Sequence, residues 1–421
     1  MITFAVDDDL AITTTGGRVW IDSARLGRLW LNRPDIVGPL ERLRRPATWT
    51  DLTAAERSAM RGLVAAGVVT VSCRDEAGPI ATATACSPRA RLDLAAEPGG
   101  EPVLLSPWAI ARRDGSDYII ESVVDGTVIR LFRPQAARTL VDLTEPTVIT
   151  DRGGLAALLM MFGLAGPRQP ADHRHPHEVW THTLTRTGLA AQPRSAGSVP
   201  APEPAVEPCD IRFTPPDAAR LHATDPPLID VMEQRRSRRD FAATPVTLDQ
   251  LNELLYRVAR TRRRSTEGPY PVSMRPTPSA GGLHELDYYP VVRSCAGLAP
   301  GVYRYDPEQH GLTLVTDALP PVVRIVDAAF TALGRTSLPP IVLTLAARFD
   351  RTHGKYGDLS YSLTLKNVGV AMQTTYLAAQ AMGLAVCALG SGDAAAFADA
   401  TGLDPLDVST VGELAIGVPD A

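Results

Sequence analysis

The chain has 421 residues, 45% of them hydrophobic and 21% charged, with a formal charge of −5 and a pI near 5.9. That length suits about two or three domains. The acidic balance argues against a general nucleic-acid binder, and no apolar run reaches the roughly 18–20 residues of a membrane helix. Cys73, Cys86, Cys209, Cys295 and Cys387 are odd in number and scattered, which speaks against a disulfide framework or a zinc ribbon. Met1 to Asp9 has neither the basic start nor the apolar core of a signal peptide, so the cytoplasm is the expected location.

Residues 1–90 read as a small α+β module. Val19-Trp20-Ile21 has strand character. Leu52 to Glu56 opens a helix with Met60, Leu63 and Val64 at helical spacing, Gly67 ends it, and Val68 to Val71 follows as a strand. This is the grammar of a winged helix, but the helix lacks the basic side chains that DNA binding needs. An Ala/Pro/Gly-rich connector is expected over 75–100. Residues 100–165 repeat the grammar: Tyr118–Val124 and Thr127–Phe132 flank the turn signal Asp125-Gly126, and Leu155, Leu158, Leu159 and Phe162 follow at helical spacing before Gly163.

Residues 166–225 are expected to be a linker, with a Pro-rich tract from Pro193 to Pro208 that cannot bury a core. His173, His175, His177 and His182 invite a metal reading. Apart from Asp172 and Glu178 they lack a completing acidic or Cys set, and Pro176 interrupts the i, i+4 pairing of 173 with 177. A surface loop is the expectation.

Residues 226–421 carry the chemistry. Arg235-Arg236-Ser237-Arg238-Arg239-Asp240-Phe241 sets four guanidinium groups and a hydroxyl before a helical pattern at 248–255. Such a run suits a multiply charged oxyanion, because guanidinium forks match phosphate; a solvated basic face is the alternative. Pro278-Ser279-Ala280-Gly281-Gly282 is a small-residue turn where backbone can approach a flat ligand. Ile341–Ala346 is a buried strand, Asn367–Met382 an apolar helix, Ala385–Leu389 a strand, and Leu414–Val418 the last strand. Gly390-Ser391-Gly392 lacks the third glycine of a dinucleotide fingerprint, since position 395 is Ala.

RRSRRDF (235–241) resembles the R-[RH]-S-x-[RK]-x-F signature of FMN-dependent nitroreductase-fold enzymes. Together with PSAGGLHELDYYPVV (278–292), GVYRYDP (301–307) and the stretch from Lys355 to Asp393, it resembles SagB/ThcOx-type azoline dehydrogenases over most of 226–421. Residues 178–186 resemble the W-x-x-H…R lead-in of that branch. The resemblance implies an α+β fold, with a nitroreductase-like FMN domain preceded by two winged-helix-like, peptide-binding modules. It implies that Arg235, Arg236, Ser237 and Arg239 hold FMN, and that Pro278, Ser279, Ala280 and Gly281 line its ring. Leu389, Gly390, Ser391 and Gly392 would contact the flavin through backbone, with Gln373 on the core helix.

By the same resemblance Lys355 and Tyr356 are the catalytic pair, and no metal is used. The substrate would be a precursor peptide whose thiazoline or oxazoline rings become azoles after a cyclodehydratase has acted, and the protein would be a homodimer. Three departures stand out. The usual E-A-G-H is Lys366-Asn367-Val368-Gly369-Val370 here, the usual Gln-Asn pair is Gln373-Thr374, and the chain ends at Ala421 without the usual basic residues. Phosphate binding then rests on 235–239. Two other readings are a nitro- or quinone-type reductase using NAD(P)H and an idle peptide-docking scaffold.

Overall fold

The computed structural model describes all residues except 17, 24–26, 85–91, 95–99, 125, 152–153, 168–174, 187–207, 268–270 and 421. Residues 1–190 and 191–421 form two compact units.

In the first unit the helix Ala54–Ala65 starts where its capping residues direct. The Glu56 amide donates to Thr53 Oγ1 and the Thr53 amide returns a bond to the Glu56 carboxylate. Met60, Leu63 and Val64 are buried, and Gly67 ends the helix at φ 72°, a conformation that glycine adopts without strain. The strand Val69–Asp75 pairs antiparallel with Ile2–Val6 and with Gly78–Thr84. Residues 75–100 are therefore not wholly a connector. The alternation of Ile80, Thr82 and Thr84 is hidden by neighbouring Ala, Pro and Gly.

The second module repeats the first in detail. Arg33-Pro34 recurs as Arg133-Pro134, Leu40 and Leu43 as Leu140 and Leu143, and all four leucines are buried. Val6 N donates to Leu43 O, and Leu105 N to Leu143 O. Val68 N donates to Leu63 O across the Gly67 stop, and Leu164 N to Leu159 O across Gly163. Asp117–Ser122 and Val128–Leu131 form the expected antiparallel pair; Asp125 lies outside the described residues. The two modules are joined, because Gly78–Thr84 pairs with Val128–Leu131. A six-stranded sheet results, ordered 2–6, 69–75, 78–84, 128–131, 117–122, 109–114, and one core serves both modules.

Pro176 opens the helix Pro176–Arg186, where a loop was expected. A proline in the first turn gives up no intrahelical bond. His173, and the Pro-rich tract apart from Pro208, lie outside the described residues.

The second unit is built on a seven-stranded antiparallel sheet ordered 211–212, 311–316, 301–306, 286–292, 341–348, 408–417, 385–389. Side chains alternate between its faces. Tyr288, Leu343, Leu345, Leu414 and Ile416 pack with the helix Leu248–Ala259 and the long helix Ser360–Ala381. Tyr289, Val291, Val342, Ala346 and Ala415 pack with the helices Leu319–Ala332 and Ala394–Thr401. Among the described residues no helix is long and apolar enough to cross a membrane.

Two buried histidines give this unit a pH dependence. His284 and His310 are each held down to about 4, mainly by burial. In the unfolded chain an imidazole accepts its proton near pH 6.5. Stability is therefore full above about pH 6.5 and falls as pH drops toward 4, by on the order of a few kcal/mol, as the unfolded chain takes up protons the fold excludes. Calorimetry across that window reads the effect; a melting temperature flat from pH 7 to 4.5 would contradict it.

Candidate flavin-type site

The arginine run is extended, mostly exposed, and stitched to the sheet at its middle and just past its end. Arg238 N donates to Val386 O at 3.0 Å and Ala242 N to Val418 O at 2.9 Å, while Phe241 is buried and bridges to Pro419. Arg236, Ser237, Arg238 and Arg239 are exposed and Arg235 half-buried. The organising side chain is Tyr376, which the sequence reading missed. Its Oη accepts from Ala388 N at 2.7 Å and shares a 2.8 Å hydrogen bond with Ser237 Oγ. The Arg235 guanidinium lies 5.2 Å from its ring centroid, a cation–π distance. Tyr376 thus ties the run to the strand that ends at Leu389 and opens onto Gly390-Ser391-Gly392.

Those three residues are exposed. Asp393 then caps the helix Ala394–Thr401 by accepting from Ala396 N at 2.7 Å. Glu413 is buried behind Gly392, its carboxyl pushed up by desolvation. Gln373 is exposed on the long helix, about one turn before Tyr376. Tyr376→Phe leaves the half-buried Ala388 N–H without its acceptor. We expect a loss of about 1–3 kcal/mol of stability, read as a lower melting temperature; an unchanged one would show that Tyr376 ties nothing.

The second cluster forms around the turn. Lys355 and Tyr356 do not sit in a loop; they end the helix Phe349–Tyr356. That helix is strongly polar, so apolar periodicity cannot reveal it. Asp350 in its first turn and His353 and Lys355 in its last complement the helix dipole. Arg351, one turn before Lys355, is buried and donates through Nε and Nη2 to Leu283 O at 3.0 and 2.6 Å. Burial brings its guanidinium down to about 10.

The result is a close approach at Gly281. This residue has φ 62°, and a Cβ there would lie 2.6 Å from both Lys355 Nζ and Tyr356 Oη. Lys355 Nζ lies 5.2 Å from the Tyr356 ring centroid. Behind the turn, Ser279 Oγ donates to Glu285 Oε2 at 2.8 Å, and Asn367 Nδ2 donates to Glu285 Oε1 at 2.7 Å. Pro278 is exposed and Ala280 half-buried. One signal of composition marks the site: of 42 basic residues only Lys355 and Lys366 are lysines.

The fold brings Arg235, Ser237 and Leu389 together through Tyr376, and Ser279, Gly281, Lys355 and Tyr356 together through the turn. It does not merge these two groups. Asn367 and Tyr376, which touch one group each, are nine residues apart on the long helix, about 13 Å along its axis and on roughly opposite faces.

The family model described as the Nitroreductase family matches residues 232–418. A protein of Methanocaldococcus jannaschii provisionally named a nitroreductase (MJ1384) is 34% identical over 175 residues, covering 39% of this chain and 78% of that protein. The chain belongs to the nitroreductase family. A nitroreductase-type structure from Ralstonia eutropha JMP134 is 24% identical, with 55% of this chain and 98% of that one covered and a TM-score of 0.41. The E. coli microcin synthetase McbBCD complex with truncated pro-MccB17 bound is 17% identical, with 57% and 87% covered and a TM-score of 0.38. Likenesses at that level define neither an activity nor a partner.

Proposed function

We propose that this nitroreductase-family oxidoreductase is an FMN-dependent azoline dehydrogenase acting on a ribosomally made precursor peptide. The observation that carries the reading is the convergence of Lys355 Nζ and Tyr356 Oη on Gly281.

The donor set fits FMN. Exposed guanidinium groups and the Ser237 hydroxyl suit a phosphate monoester, and the left-handed Gly281 leaves bare backbone for a flat ring. Arg235, Arg236, Ser237 and Arg239 would hold the phosphate end, Pro278–Gly281 and Leu389–Gly392 the ring. When bound, FMN supplies a two-electron acceptor for a hydride.

Turning an azoline into an azole removes one hydride and one proton, and the chain must take the proton. Lys355 would be the base, a role that requires a neutral amine. An arginine could not serve, because it does not deprotonate; in a chain with so few lysines, one stands where that difference matters. Tyr356 would orient the ring or relay the proton.

A homodimer follows from the same reading, since one chain holds its two residue groups on opposite faces of the long helix. That helix also exposes Leu365 and Val370 at 44% and 40%, and Leu228, Ile229 and Met232 are exposed on the short helix Leu228–Gln234 that packs against it. Apolar side chains exposed together on two helices suit burial against a partner. The first unit would dock the precursor peptide, and a cyclodehydratase would supply the azolines. The test is peptide oxidation by the FMN-loaded protein without NAD(P)H. Steady NAD(P)H consumption with no change in the peptide would favour the small-molecule reductase instead.

A further inference from the structure

We infer that Glu285 is a positioning residue, which locks the 279–281 turn to the long helix and thereby fixes the environment of the Lys355 amine. The inference deepens the proposed role of Lys355 and rests on it only for its meaning in catalysis.

Glu285 has no exposed surface, and a buried carboxylate is tolerated only when its oxygens find donors. Both do: Oε2 receives Ser279 Oγ–H at 2.8 Å, and Oε1 receives Asn367 Nδ2–H at 2.7 Å. Ser279 Oγ itself accepts from His284 N at 3.1 Å and lies 3.4 Å from Asn367 Nδ2. The side chains of residues 279, 285 and 367 therefore close a triangle, and each corner belongs to a different piece of the fold.

The backbone around the triangle is pinned as well. Arg348 N donates to Glu285 O at 2.9 Å, and Arg351 grips Leu283 O. His284, at φ 50°, is held by Nε2 against Ser273 O at 2.9 Å. The turn has little freedom while the triangle is intact, so Gly281 stays against Lys355 Nζ and Tyr356 Oη. If one side of the triangle opens, the turn gains freedom and the half-buried Lys355 is uncovered further.

The hydrogen-bond polarity can be inverted without changing shape. Asn367→Asp alone sets two carboxylates face to face in a buried site, which is strongly unfavourable. Adding Glu285→Gln restores a donor opposite an acceptor. Ser279→Ala removes one corner of the triangle, and with it both sides that meet there, with a minimal change of volume.

The amine can be read directly, because only Lys355 and Lys366 carry side-chain amines. The full chain, purified without added flavin, is labelled with acetic anhydride and the modification at residue 355 followed by mass spectrometry against residue 366, with thermal melting as the fold control. Lys355 labelling should rise about tenfold in Asn367→Asp, the scale of one buried polar group left unsatisfied. It should rise about threefold in Ser279→Ala, a smaller loss of the same kind. The Asn367→Asp, Glu285→Gln pair should return to within about twofold of the parent.

Parent-like labelling in folded Ser279→Ala overturns the inference, as does a double variant no closer to the parent than Asn367→Asp. If Asn367→Asp does not fold, Ser279→Ala and the double variant decide alone. The labelling needs neither flavin nor peptide. A chain that shows the pattern yet takes up no FMN would refute the dehydrogenase reading and leave the clamp standing.

Discussion

Lys355→Ala should lower the rate of flavin reduction by an azoline-containing peptide by about 10²–10⁴-fold, the range a positioned general base contributes. FMN affinity should change little, because Lys355 belongs to the turn group and not to the arginine run. Lys355→Arg should be nearly as slow, since it keeps the positive charge but cannot release a proton at neutral pH. That pairing separates a base from a mere cation. A Lys355→Arg variant with parent-like rates would mean that the residue supplies only charge. Stopped-flow absorbance under anaerobic conditions reads the step directly. Tyr356→Phe should fall between the parent and Lys355→Ala, because it keeps the ring and loses the hydroxyl beside Gly281.

Arg235→Glu should weaken FMN binding by about 100-fold or more, as expected when a charge-assisted phosphate contact is replaced by repulsion. Arg235 is the half-buried member of the run and rests on the Tyr376 ring, so its placement is set before any ligand arrives. The same reversal at the neighbouring exposed Arg238, whose backbone is tied to Val386, should cost less. Fluorescence titration of free FMN measures both. Equal, small losses at the two positions would show that the run is a solvated basic face.

Continuous apolarity made some elements legible. Ile341–Ala346 extends to Arg348 as a strand buried through Ala347, and Ala385–Leu389 is a strand over those same residues. The long helix begins at Ser360 rather than Asn367. Its first turns carry Ser360, Ser362, Thr364 and Lys366, so an apolar criterion starts it late. The helix 349–356 is hidden for the same reason, although it carries the two residues singled out for chemistry. Leu319–Ala332 opens on Pro320-Pro321, a pair that reads as a break yet fits a first helical turn.

The site was legible as pieces. Short motifs point to Ser237, Gly281 and Lys355, because each needs a special residue type locally. What holds the pieces depends on pairs remote in sequence, such as Ser237 with Tyr376 and Glu285 with Asn367. Neither pair leaves a local pattern. Tyr376 is one of ten tyrosines, and only the fold gives its hydroxyl a purpose.

The most direct test of the whole account is an anaerobic mixing experiment with the FMN-loaded protein, an azoline-containing peptide and no NAD(P)H. The flavin band near ~450 nm should be lost, as two-electron reduction requires. The peptide should emerge about 2 Da lighter, the mass of the hydride and proton removed. A peptide of unchanged mass beside a fully oxidised flavin, in a protein whose flavin NAD(P)H readily bleaches, would contradict it.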